Sequence, residues 1–66
     1  MNITLNGDAF ELAEGAKLTD LIVHLDLLGK RFAIEVNEDI IARSQHDTFQ
    51  VSEGDCVEVV QAIGGG

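Results

Sequence analysis

Cysteine, histidine and basic side chains are all scarce in this 66-residue sequence. Cys56 is the only cysteine, so no intrachain disulfide can form, and the stapled scaffolds of small secreted proteins are excluded. His24 and His46 are the only histidines, and no cysteine pair stands near them. A zinc-type cluster is therefore not expected. Four Lys/Arg face twelve Asp/Glu, a net charge of −8. That balance disfavours nucleic acid and anionic membranes, which both reward basic patches. No apolar run approaches the ~20 residues that cross a bilayer. The segment from Met1 to Asp8 has neither the basic start nor the apolar stretch of an export signal. The expectation is an acidic, cytoplasmic, single-domain protein, monomeric when free. An enzyme with its own pocket is not expected. Below roughly 70–80 residues the core is thin, and a pocket would consume much of it.

What is present is a clear change of period along the chain. Ile3 and Leu5 alternate with Thr4, which predicts a strand. Asn6-Gly7-Asp8 is a strong turn signal, because Asn and Gly tolerate the positive φ of tight hairpins. Phe10 and Leu12 resume the alternation from Ala9 to Ala13, completing a hairpin. Leu18, Leu21, Ile22, Leu25 and Leu28 then follow the spacing of one helical face, about three turns long. Lys17 or Thr19 lies at its N-cap, Asp20 suits its first turn, and Gly29 is placed to cap its end.

Phe32, Ile34 and Val36 alternate with Ala33, Glu35 and Asn37 in a third strand. A turn is placed at Glu38-Asp39, followed by a short strand over Ile40, Ile41 and Ala42. Arg43 to Asp47 reads as a polar loop that Ser44 could cap. Phe49 and Val51 can pin this loop to the core. Ser52 to Asp55 is a further turn. The last strand runs from Cys56 to Ala62, with Val57 and Val59 inward and Cys56, Glu58 and Val60 on the other parity. Two strands, one helix and three strands give an α+β chain with a mixed four- to five-stranded sheet and one helix on one face. That order is that of a β-grasp, the ubiquitin-like fold. Residues 1–62 form the domain and 63–66 a flexible tail.

The tail carries the most information. Gly64, Gly65 and Gly66 close the sequence. A frayed end is one reading of them. A chemical reading has its own basis: without Cβ atoms, such a segment fits a narrow slot and takes backbone angles closed to other residues. Residues 63–66 extend at most about 13–14 Å, enough to place a terminal carboxylate in another protein's active site. That carboxylate is ionised at neutral pH and can attack the α-phosphorus of ATP. The glycines match no nucleotide-binding loop, since no helix follows them. No cofactor is expected on this chain, and any ATP site belongs to a partner.

Val59-Val60-Gln61-Ala62-Ile63-Gly64-Gly65-Gly66, the length, and the hairpin–helix–strand order resemble the sulfur carrier (ThiS) family of thiamine biosynthesis. So does the middle segment, with Asn37, an acidic turn, Ile40-Ile41 and Arg43-Ser44-Gln45. The resemblance implies that an adenylyltransferase of the ubiquitin-activating-enzyme-like family adenylates the Gly66 carboxylate. It further implies that sulfur from a cysteine desulfurase makes it a thiocarboxylate, which thiazole synthase consumes. The chain would then be a co-substrate and not an enzyme. Two alternatives share the fold and the tail. One is the small subunit of molybdopterin synthase, for which the chain is short; the other is a ubiquitin-like modifier that joins to lysines.

The remaining candidates have two readings each. Ile63 either anchors the tail in a partner's pocket or packs on its own sheet. Val60, with Ala33 beside it, is either part of an apolar docking patch or an ordinary exposed valine. Cys56 invites a sulfur-transfer role, but Asp55 and Glu58 supply the opposite of the cationic surroundings that reactive thiols need. His24 and His46 are expected to be solvated. The acids Glu35, Glu38, Asp39, Glu53, Asp55 and Glu58 suit a basic surface on the activating enzyme, or simply keep the chain hydrated.

Overall fold

Alternation at Ile3 and Leu5 produces β1 (Asn2–Leu5), which pairs antiparallel with β2 (Asp8–Glu11). In this computed structural model, which describes residues 1–61, Leu5 and Asp8 close the hairpin around Asn6 and Gly7. Both turn residues have positive φ, 51° and 86°, the requirement of a tight turn that matches strand twist. The second hairpin repeats the device. It joins β3 (Phe32–Val36) to β4 (Asp39–Ile41). Its turn residues are Asn37 and Glu38, with φ of 51° and 74°. The turn therefore lies one residue earlier than Glu38-Asp39, and Asp39 already pairs with Val36. A two-residue loop needs the left-handed region at both positions, and Asn37 enters it more readily than Asp39 would leave the strand.

β5 (Cys56–Gln61) runs parallel to β1 and antiparallel to β3. The five strands are ordered β2-β1-β5-β3-β4, so the last strand sits in the middle of the sheet. The helix α1 (Leu18–His24) covers one face. Leu18, Leu21 and Ile22 from α1 pack with Ile3, Ile34, Val36, Val51 and Val57, all buried. Each fully buried aliphatic side chain contributes on the order of 1.5–3 kcal/mol.

The helix is two turns long, not three. Asp26 takes φ +58° and ends it, with Leu27 N–H bonding to Ile22 O (3.0 Å) and Asp26 N–H to Val23 O (3.1 Å). This is a Schellman cap, and its usual apolar contact is supplied by Ile22 and Leu27, both buried. Leu27 thus takes the core position expected of Leu28, which is 70% exposed. Gly29 is not the cap. It sits at φ +79° in a separate turn closed by Lys30 N–H to Leu27 O (3.0 Å). At the other end, Lys17 is the N-cap residue, and Asp20 Oδ2 accepts its backbone N–H at 2.7 Å.

The segment between β4 and β5 seals the start of the helix. Leu18 N–H bonds to Phe49 O and Thr19 N–H to His46 O, both at 3.1 Å, satisfying donors that no helix can satisfy itself. Val51 is buried and Phe49 packs on the core, as their apolar character predicts. Arg43–Gln45 forms a 3-10 turn without a side-chain cap, so Ser44 does not serve as one. His46 is not solvated. It is 4% exposed, and its Nε2 lies 3.0 Å from Ile41 O. A carbonyl only accepts, so Nε2 carries the hydrogen. The ring stacks on Phe32 at 5.9 Å. His24 is exposed, edge-on to Phe10 at 5.2 Å.

Candidate functional site

β5 carries the chain from the sheet toward the glycines, and the two hairpin asparagines hold it in place. Asn6 Oδ1 accepts the Val59 N–H at 2.8 Å, continuing the β1–β5 ladder beyond the end of β1. Asn37 Oδ1 accepts the Cys56 N–H at 3.0 Å, and its Nδ2 donates to Asp55 Oδ1 at 3.1 Å. Both asparagines were read from sequence only as turn or strand-end residues. Their second task, bracing the central strand, carries no sequence signal beyond residue type.

The strand alternates between two faces. Val57 is buried and Val59 packs against the core, while Cys56, Glu58 and Val60 are exposed on the open side. Val60 is 59% exposed and stands directly opposite Ala33, the neighbour expected of it. Glu58 faces Glu35 across the same strand pair, and Glu35 in turn faces Ile40 on β4. Ile40 is 74% exposed. Beside these two facing carboxylates the open face therefore holds the apolar side chains of Val60, Ala33 and Ile40. Sequence reasoning missed Ile40 as a member. Placing the turn one residue too late hid its parity.

Cys56 is exposed and free at the start of β5, remote from Gln61 at the strand's far end. Among the described residues no group of three His, Cys, Asp or Glu is placed to hold a metal. No helix among them is long and apolar enough to cross a membrane. Ile63, Gly64, Gly65 and Gly66 lie outside the described residues.

Charge is sorted along the sheet. Gln61 pairs with Phe32, which follows Lys30 and Arg31, and the Arg43 guanidinium lies 5.1 Å from the centre of the Phe32 ring. Three of the four Lys/Arg thus sit where the chain leaves β5. The opposite end holds Glu38, Asp39, Glu53 and Asp55, with Glu53 Oε1 accepting the Asn2 N–H at 3.1 Å.

A mixed five-stranded sheet of this order, crossed by one helix, is a β-grasp domain. The sequence matches the family model described as "ThiS family" over residues 3–66. The chain belongs to the ThiS family, the sulfur carriers of thiamine biosynthesis. It is 32% identical over 66 residues to the sulfur carrier protein ThiS of Escherichia coli, covering all of both chains. The crystal structure of the thiamine biosynthesis protein ThiS from Geobacter metallireducens superposes with a TM-score of 0.83. Identity is 32%, and both chains are fully covered. The whole chain is also 33% identical to part of a thiazole synthase from Magnetococcus marinus, of which it spans one fifth.

Proposed function

We propose that this chain carries sulfur on the Gly66 carboxylate and delivers it for thiazole formation. Membership of the ThiS family is the observation that supports this most strongly. The Gly66 carboxylate oxygen attacks the α-phosphorus of ATP in the site of a ubiquitin-activating-enzyme-like adenylyltransferase. Pyrophosphate leaves, and an acyl-adenylate remains. A hydrosulfide equivalent, derived from a cysteine desulfurase, attacks the acyl carbon and AMP leaves, giving the thiocarboxylate. In thiazole synthase the acyl C–S bond breaks as the substrate takes the sulfur, and an oxygen from substrate or water replaces it on the acyl carbon, restoring the carboxylate. The resemblance of this entire chain to one fifth of a thiazole synthase supports that enzyme as the acceptor.

Residues 1–62 act as the docking domain and 63–66 as the segment that enters partner sites. The chain contributes no catalytic group of its own. Gly64, Gly65 and Gly66 fit a slot that a Cβ would block, and Ile63 anchors the segment ahead of them. Val60, with Ala33 and Ile40, forms an apolar contact patch on the open face. ATP-dependent pyrophosphate exchange with the adenylyltransferase tests the first step. Exchange is expected with the full chain and lost on deleting Gly66. Exchange that persists without Gly66, or with Gly65→Ala at unchanged rate, contradicts the reading.

A further inference from the structure

The last strand outruns one of its neighbours. β5 pairs with β3 from Val57 to Gln61, but β1 pairs with it only at Cys56 and Val57. β1 ends at Leu5, where the chain turns through Asn6 and Gly7. The Val59 N–H is directed to the β1 side, because Asn6 Oδ1 accepts it at 2.8 Å. Main-chain groups alternate sides along a strand. Val60 therefore bonds toward Ala33, while the N–H and the C=O of Gln61 both point to the β1 side. Among the described residues no strand flanks Gln61 there, and Gln61 is exposed. An open strand edge is a template for further pairing, and proteins usually guard one with charge or proline. The two outer strands of this sheet are guarded: β2 carries Asp8 and Glu11, and β4 begins with Asp39. From Val59 to Gly66 there is neither a charged side chain nor a proline, in a chain of which 24% is charged.

We propose that this edge of β5 accepts an extended segment of the activating partner, which joins the sheet as a strand beside Gln61. The Gln61 N–H donates to a carbonyl of that segment, and the Gln61 C=O accepts one of its N–H groups. Such pairing rests on the sulfur-carrier reading, which sends the end of the chain into the adenylyltransferase. Residues 62–66 follow Gln61 and extend at most about 16–18 Å. The channel that holds Gly66 thus begins close to Gln61, and pairing at its mouth aims the segment inward. In strand addition the main-chain hydrogen bonds supply affinity, and side chains at alternate positions set the fit. Here those side chains are Val60 on the open face and Gln61 beside Phe32 on the other.

The test uses the full chain with the adenylyltransferase and reads the Kd, the KM in pyrophosphate exchange and amide hydrogen exchange at Gln61. Gln61→Pro removes the edge N–H and leaves the β3 ladder intact, since proline is tolerated in a strand where its nitrogen faces outward. It is expected to raise Kd and KM roughly three- to tenfold with kcat unchanged. Gln61→Ala keeps the N–H and is expected to stay within about twofold of wild type. The Gln61 amide is expected to exchange rapidly in the free chain and at least about tenfold more slowly in the complex. That measurement needs no variant and decides the outcome if Gln61→Pro folds poorly. A folded Gln61→Pro that binds as well as Gln61→Ala overturns the proposal. So does a Gln61 amide equally protected in the free chain and the complex. Protection that grows with the concentration of free carrier also overturns it, because a second copy would then be the occupant. Protection at Gln61 in a complex that supports no pyrophosphate exchange would leave the pairing standing and overturn the sulfur-carrier reading instead.

Discussion

The two faces of β5 are built from one six-residue strand and do opposite things. On the covered face, Val57 and Val59 meet Ile34, Val36 and the helix, and water is excluded. On the open face, Val60 and Ala33 stay exposed beside Glu35 and Glu58, two like charges in direct register. Facing carboxylates are unfavourable in an isolated sheet. The covered face is therefore organised for stability, whereas the open face holds an arrangement that folding alone does not favour. That contrast fits the docking role proposed for the open face.

Substitutions on the two faces should separate stability from docking. Ile34→Ala, at a fully buried position, is expected to cost about 2–5 kcal/mol in urea unfolding. A loss below about 1 kcal/mol would mean that the core does not rest on this face. Next comes Asn6→Ala, which strands the Val59 N–H and places a poorly suited residue at φ +51°. About 1–2 kcal/mol should be lost, with amide exchange at Val59 accelerating more than elsewhere in β5. On the open face, Val60→Asp should leave the urea midpoint nearly unchanged and weaken adenylyltransferase binding by roughly 1–2 kcal/mol. Equal losses in both measurements would erase the distinction between the faces. The smallest effect is Glu58→Gln, which relieves the repulsion with Glu35. A gain of about 0.2–1 kcal/mol is expected, shrinking as salt is added.

The fold was legible wherever a short-range rule decided it. Alternation located the strands, Asn6-Gly7 located the first turn, and the parity of β5 correctly divided Val57 and Val59 from Val60. The departures have two causes, local backbone conformations at Asn37 and Asp26 that residue type alone did not announce, and tertiary packing around His46. Apolar spacing places Leu28 in the core and Gly29 at the helix cap, but the backbone at Asp26 decides both; His46 is placed by its packing. Asp26 accepts the left-handed cap, so the helix stops before Leu28, and Leu27 is drawn into the core. His46 is polar and sits in a polar run, yet Phe32 stacks on its ring and the Ile41 carbonyl satisfies its Nε2 hydrogen. Phe32 is too far away in sequence to announce itself, and the Ile41 carbonyl, five residues back, is brought to the ring by the turn at Arg43–Gln45. At the candidate site, Val60 and Ala33 were legible because cross-strand register follows from alternation. Ile40 was not, because its face depends on where the second turn falls.

The central claim is that sulfur is carried at Gly66 while the domain supplies only docking. Intact mass after incubation with ATP, adenylyltransferase and a sulfide source tests it most directly. Wild type should show a single oxygen-to-sulfur exchange, Val60→Asp the same exchange more slowly, and the Gly66 deletion none. Exchange that survives the deletion, or is absent from wild type, would contradict the account.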